Sequence, residues 1–215
     1  PELLDWLAAE LMANGWSTKE MHRRIVLSAT YRQERRHHAA NAAIDPDNRL
    51  LWNWPRRRLE AEAIRDAVLV ASGELDRTIG GGSVPPESEE QRLRRTVYLF
   101  QQRSAMPSVM KMFDGPIGIA SCSRRDVSTV ALQPLYLLNS EFMTRRSVAL
   151  AHLIAEEASE TDVRITTAFE RVLSRRPQQD ELLLARQILE DAEEDAGLQH
   201  LCHALLNLNE FVYIP

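Results

Sequence analysis

Apolar side chains recur at helical spacing along most of the chain. Leu3, Leu4, Leu7 and Leu11 form a first stripe that Asn14-Gly15 stops. Ser17-Thr18-Lys19-Glu20 has the capping-box form, so a second helix is expected from Ser17 to about Thr30. From Leu59, the positions Ile64, Ala67, Val68 and Ala71 predict a third helix ending near Ser72-Gly73. A short helix is expected from Pro107 to Phe113. The C-terminal half carries four more stripes: Met143, Leu150 and Ile154; Ile165, Phe169 and Val172; Leu184 and Ile188; and Leu198, Leu201, Cys202 and Leu205. Pro177 sits where a new helix should begin, and Asp195-Ala196-Gly197 is expected to break the next one.

Between these stripes lie long connections. Tyr31 to Pro55 lacks sustained periodicity and reads as a structured connection. Gly80-Gly81-Gly82-Ser83 followed by Pro85-Pro86 cannot continue a regular element and is the best candidate for a mobile loop. Thr96 to Phe100 is a β-prone run that suggests one short extended segment, and Gly115 to Thr129 reads as a second ordered loop. The expected fold class is therefore all-α: a multi-helix bundle with long ordered loops and at most one short strand or hairpin. We read residues 1–215 as a single helical domain cut from a longer chain, with sub-lobes 1–114 and 130–215 joined by the ordered loop.

Composition changes this picture little. With 44% hydrophobic and 27% charged residues, the 215-residue chain has room for a sizeable core. The formal charge of −5 gives no overall footprint for nucleic acid or an anionic membrane, and no apolar run is long enough for a membrane span. Lys19 and Lys111 are the only lysines among 26 basic residues. Arginine makes two-toothed bonds to carboxylates, which suits fixed ion-pair networks.

Few motifs point to chemistry. The glycine run lacks the Gly-Lys-Ser/Thr ending of a phosphate loop, no serine sits in a Gly-x-Ser-x-Gly elbow, and no CxxC or CxxCH is present. The six histidines show no ligand spacing, so no metal site is expected. Carboxylates are abundant, but nothing singles out an acid–base pair. The acidic run Glu190 to Asp195 reads as a solvated helix face. Arg56 to Glu62 places arginines beside carboxylates at a helix start, where ion pairing is the default. The alternative is an anion or sugar-acid pocket made by Arg57, Arg124, Arg125 and Asp126, with Trp52 and Trp54 stacking on the ligand. Leu137 to Phe142 echoes Leu205 to Phe211, as punctuation between helices with a phenylalanine anchor. Cys122 and Cys202 are either buried thiols or a disulfide pair, which needs Cα atoms within roughly 7 Å and an oxidising compartment.

Several segments together carry a resemblance. Pro1-Glu2-Leu3-Leu4-Asp5-Trp6-Leu7-Ala8, Ile25 to Gln33, Asp45 to Trp52, Pro55 to Asp66, Ser121-Cys122 through Asn139, and Leu205 to Phe211 occur in order over essentially the whole chain. This set resembles a planctomycete secreted-domain family, the domain of unknown function fifteen-fifty-three. The resemblance implies the C-terminal region of a large exported protein, periplasmic or extracellular, often with a planctomycete-type cytochrome c module upstream. It implies haem only in that upstream module and no cofactor in this domain. It also adds weight to a Cys122–Cys202 disulfide. The family supplies no catalytic residues to carry over. The leading expectation is an accessory and interaction domain whose partners are other domains of the same polypeptide. The alternatives are a domain binding or processing acidic or sulfated carbohydrate, such as an extracellular glycan, and a docking surface for the cytochrome module.

Overall fold

The computed structural model describes residues 1–33, 37–54, 56–84, 93–102, 106–116, 118, 121–192 and 194–214, with the backbone alone for 194 and 195. Pro55, Pro85 and Pro86, named above, lie outside these residues. Eleven α-helices and one two-stranded antiparallel sheet make up the regular structure of the described residues, so the fold is all-α. The chain divides into two compact units that meet in sequence at Arg57 and Arg58. The loop after residue 114 falls inside the second unit.

The first unit holds α1 (Glu2–Ala13), α2 (Thr18–Val26) and α3 (Ala39–Ile44). Gly15, at φ +63°, ends α1 in the left-handed region that a side chain disfavours. The Ser17 hydroxyl caps α2 by accepting from Glu20 N at 3.3 Å, and the Glu20 carboxylate bonds Arg23 rather than completing a capping box. The helix stops at Val26, four residues before the expected end, because Ser28 turns back to donate to Ile25 O at 2.7 Å. The described part of the connection that follows contains α3. The Asp45 carboxylate accepts from Arg49 N and Leu50 N at 3.0 and 2.8 Å, and Asn53 N donates to Asn48 Oδ1 at 3.1 Å. Asp45 is the one buried residue among those described in this unit.

The second unit begins at Arg58, the last residue of β1 (Arg57–Arg58), which pairs with β2 (Tyr213–Ile214), and Leu59 N donates to Val212 O at 2.8 Å. Its helices are α4 (Ala61–Ala71), α5 (Ser108–Met112), α6 (Leu132–Asn139), α7 (Glu141–Glu157), α8 (Thr161–Leu173), α9 (Gln179–Glu190), α10 (Glu194–Leu206) and α11 (Asn209–Val212). The centre is α10, which packs on α7, α8 and α9, while α4 packs on α5 and α7. Ile64, Leu69, Met143, Leu150, Ile165 and Leu206 are fully buried between them. Phe142 and Phe211 are both buried, but the punctuation differs: Ser140 caps α7 by accepting from Met143 N, whereas α11 begins after Leu208 without a side-chain cap.

Three expectations change. Leu184 is 59% exposed, and its neighbour Ala185 is the residue that α9 buries. Asp195-Ala196-Gly197 lies within α10 rather than breaking it, since the interruption comes after Glu190. The acidic run therefore straddles a helix junction. Gly197 is there for close packing, because a Cβ at this position would stand 2.8 Å from Leu189 Cα. Thr96–Tyr98 forms a single 3-10 turn, and Leu99 beside it pairs with Val84 as an isolated bridge.

Candidate functional site

Helix α4 begins with a polar edge. Glu60 is its N-cap, Glu62 lies in its first turn, and Arg65 and Asp66 follow one turn on. An acidic residue is favoured there by the unpaired backbone N–H groups of the helix start. Arg125, from the loop between α5 and α6, reaches this edge and grips Glu62 with two bonds, Nη1 to Oε2 at 2.6 Å and Nη2 to Oε1 at 2.9 Å. Its Nη1 also lies 3.3 Å from Glu60 Oε2. Burial pushes the Glu62 carboxyl up, but the Arg125 bonds outweigh it and hold the group below the usual carboxylate range. The same bonds raise the Arg125 guanidinium further above its already high value.

A second cluster ties the ends of the same loop. Arg58, with 4% of its side chain exposed, donates from Nη2 to Asp114 Oδ2 at 2.6 Å and from Nη1 to Gln133 Oε1 at 3.0 Å and Ser128 O at 2.5 Å. Asp114 terminates α5 in the left-handed region at φ +58°, which turns its carboxylate to accept from Ser128 N at 2.8 Å and Ser128 Oγ at 2.7 Å. Gln133 Nε2 completes the network by donating to Met112 O and Ser128 O. Burial raises the Asp114 carboxyl, and the bonds from Arg58 and Ser128 more than reverse this.

At the far end of the edge, Asp66 Oδ1 accepts from Thr96 N at 2.7 Å and Thr96 Oγ1 at 2.6 Å, while Arg65 donates to Arg94 O and Thr96 Oγ1. The Arg65 and Arg146 guanidinium groups both stand over the Phe142 ring, at 5.7 and 5.6 Å. Arg94 in turn organises the glycine run expected to be mobile. It lies 3.9 Å from the Tyr98 ring centre and donates to Thr78 O, Gly80 O and Gly82 O, while Gly80 N donates to Tyr98 Oη. The carbonyls of Gly80 and Gly82 are thus held around a guanidinium.

The residues expected to form a pocket are distributed as follows. Arg125 is in the carboxylate seam, whereas Arg124 and Asp126 are exposed on the same loop. Trp52, Trp54 and Arg57 belong to the first unit. There Trp54 packs on Tyr31 with ring centres 6.3 Å apart, and Trp52 meets His37 edge-on at 6.0 Å while its indole N–H donates to Asp45 O. Both indoles are half-buried. Cys122 and Cys202 are free thiols, one exposed and one buried, so no bridge joins them in this structure. Cys202 faces the packed side of α10, where burial pushes its thiol up to about 12.

A general base works best with a pKa near the working pH, and the Glu62 and Asp114 carboxyls are held low by Arg125 and Arg58. Arg58, Arg65 and Arg125 direct their Nη donors to groups of the chain itself. A cleft between α7 and α10, lined by Val148, Ala151, His152, Ala155, Leu198 and Gln199, offers about 50 Å³, far less than the roughly 300–1,000 Å³ of a small-molecule site. Among the described residues no three His, Cys, Asp or Glu side chains gather as metal ligands would, and no helix is long and apolar enough to cross a membrane.

Sequence reasoning placed Arg125 and the start of α4 in one cluster but missed Asp114, Ser128, Gln133 and Thr96. The one available signal was the polar run flanking α5, since pairing across such distances leaves no local pattern. Comparison with curated proteins and with solved structures finds no match. A family model described as PSD1, protein of unknown function (DUF1553), matches residues 1–189, and this chain belongs to that family.

Proposed function

We propose that this chain is a helical accessory and interaction domain of a larger exported polypeptide, acting through its surfaces on neighbouring domains. The observation that carries this reading is the internal pairing of the α4 seam: Arg58, Arg65 and Arg125 bond Asp114, Thr96 and Glu62. Such a seam fixes loops to helices and leaves recognition to the exterior. Leu132, Leu135 and Leu138 share one exposed face of α6, a helix without a charged residue, and supply apolar contact area. Calorimetric titration with the neighbouring domains of the parent polypeptide tests this. Binding with a negative heat-capacity change is expected. Turnover of any substrate that is lost in Glu62→Gln would overturn the reading. Association with a cytochrome module, the partner that the sequence resemblance suggests, would be recognised by weakening as salt rises.

A second reading, carbohydrate binding, is favoured by the Tyr31–Trp54 and His37–Trp52 pairs, since aromatic rings present flat apolar faces beside polar groups. Binding to sulfated or uronic glycans that is lost in Trp54→Ala or Trp52→Ala would support it. A blank array across those glycans would remove it.

A further inference from the structure

We propose that Asn14-Gly15 is a modification site, where spontaneous deamidation turns the Asn14 carboxamide into a carboxylate and unpins the turn between α1 and α2.

The chemistry is intramolecular. The backbone N of Gly15, on losing its proton to water or hydroxide, attacks Asn14 Cγ. The N–Cγ bond forms, the Cγ–Nδ2 bond breaks, and Nδ2 leaves as ammonia. Water then opens the five-membered succinimide. Attack at Cγ gives an aspartate, and attack at the main-chain carbonyl gives an isoaspartate, whose backbone runs through the side chain. Ring closure is fastest where the following residue has no side chain to crowd it, and Asn14-Gly15 is the one Asn-Gly step in the sequence.

Local structure leaves this step open. Asn14 is the C-cap of α1, and Gly15, at φ +63°, is exposed, with nothing within 4 Å of where a Cβ would stand. Gly15 N donates to Met12 O at 3.2 Å and Trp16 N to Leu11 O at 2.9 Å, and the first of these bonds must break before the nitrogen can attack. No residue of α1 or α2 is buried, so opening their turn exposes no core and costs little.

Asp114-Gly115 supplies the contrast within the same chain. It could close the same ring with loss of water, but the fold blocks it. Gly115 is buried, and its N donates to Met110 O at 2.7 Å. The Asp114 carboxylate is held by Arg58 and Ser128.

Conversion at Asn14 has a structural consequence. Asn14 Nδ2 donates to Glu10 O at 2.7 Å and to Glu10 Oε2 at 3.2 Å. A carboxylate donates neither bond, and it sets a second negative charge beside Glu10 at a helix C-terminus, where negative charge is disfavoured. Glu10 also carries the ion pair with Arg24 that ties α2 to α1.

The test incubates the 215-residue protein, native and unfolded in guanidinium chloride, in mildly alkaline buffer and follows its peptides by mass spectrometry. The peptide holding Asn14-Gly15 should gain about one dalton and split into two chromatographic forms. Its native rate should lie within about tenfold of the unfolded rate, and Asn14→Gln should abolish the gain. The peptide holding Asp114-Gly115 should stay a single form in the native protein. Asn14→Asp, which carries the product carboxylate from the outset, should speed hydrogen exchange around the turn by about tenfold. A native protein that keeps Asn14 while the unfolded chain loses it, or conversion no faster than at Asn139 or Asn207, overturns the site. Unchanged exchange in Asn14→Asp overturns the unpinning.

Discussion

Arg125 holds Glu62 by two parallel hydrogen bonds of 2.6 and 2.9 Å, across 63 positions of sequence. This pair pins the loop between α5 and α6 to the first turn of α4. It is a planar guanidinium matched to a planar carboxylate, a fit that lysine cannot reproduce. Both side chains are nearly one-third exposed, so the expected cost of Arg125→Lys is about 1 kcal/mol after solvent screening. Urea unfolding measures it, and an unchanged midpoint would show that the pair is ornamental.

Acid should weaken the protein through the same chemistry. Glu62, Asp114 and Glu181 all sit below their ordinary values of 4.5 for Glu and 3.8 for Asp. A carboxyl depressed in the folded state contributes stability that is complete above its unfolded pKa and is lost as pH falls through the folded one. Stability is therefore expected to be level through neutral pH with respect to these groups and to fall below about pH 4. Glu62→Gln should flatten part of that fall, and thermal melts between pH 2 and 7 give the comparison.

Arg58 is a more severe test, because its side chain is almost wholly enclosed and it serves Asp114, Gln133 and Ser128 together. Arg58→Ala strands the Asp114 carboxylate in a poorly hydrated place. Breaking a buried pair in this way costs roughly 3–5 kcal/mol. Asp114→Asn with Arg58→Met should recover part of the loss, since both charges then disappear. Denaturant midpoints of the single and double variants decide between the charge and the packing of the side chain.

The two thiols should react very differently. Cys122 is exposed and donates to Arg124 O at 3.2 Å, whereas Cys202 is fully buried with its thiol held protonated. One fast equivalent of a thiol reagent is expected in the native protein, and a second on unfolding in guanidinium. A native protein with no titratable thiol, regaining two on reduction, would establish the Cys122–Cys202 disulfide instead.

Two glycines separate close packing from open space. A Cβ at Gly197 would meet Leu189 Cα at 2.8 Å and Ile188 O at 3.1 Å, and backbone cannot step aside cheaply. Gly197→Ala should cost roughly 1–3 kcal/mol despite the better helix propensity of alanine. Gly82→Ala meets nothing within 4 Å and should be close to neutral. Parallel urea titrations of the two variants check the contrast.

Much of the architecture was legible before any coordinates. Stripes at Ile64, Val68 and Ala71, at Leu150 and Ile154, and at Ile165, Phe169 and Val172 each mark a helix, because a turn of 3.6 residues writes itself into neighbouring positions. Chain punctuation was legible for the same reason: Asn14-Gly15 ends α1, and Ser140 caps α7. Short range also limited the reading. Thr96-Val97-Tyr98 has strand propensity, yet Asp66 and Arg65 bond Thr96 and bend the segment into a 3-10 turn. The glycine run seemed free until Arg94 was seen to gather its carbonyls. Asp195-Ala196-Gly197 has the composition of a break, but the approach of α9 makes it a contact.

Sequence by itself thus determined the helical class, the position of most helices and the preference for arginine over lysine, all properties carried by residues a few positions apart. Tertiary structure alone decided which carboxylate each arginine meets. Arg58 had every Asp and Glu of the chain available, and it found Asp114 because packing of α5 against α4, and of α6 against α5, brings those groups within hydrogen-bond reach. Hydrogen bonds act over about 3 Å, and only the folded chain sets distances on that scale between residues so far apart in sequence.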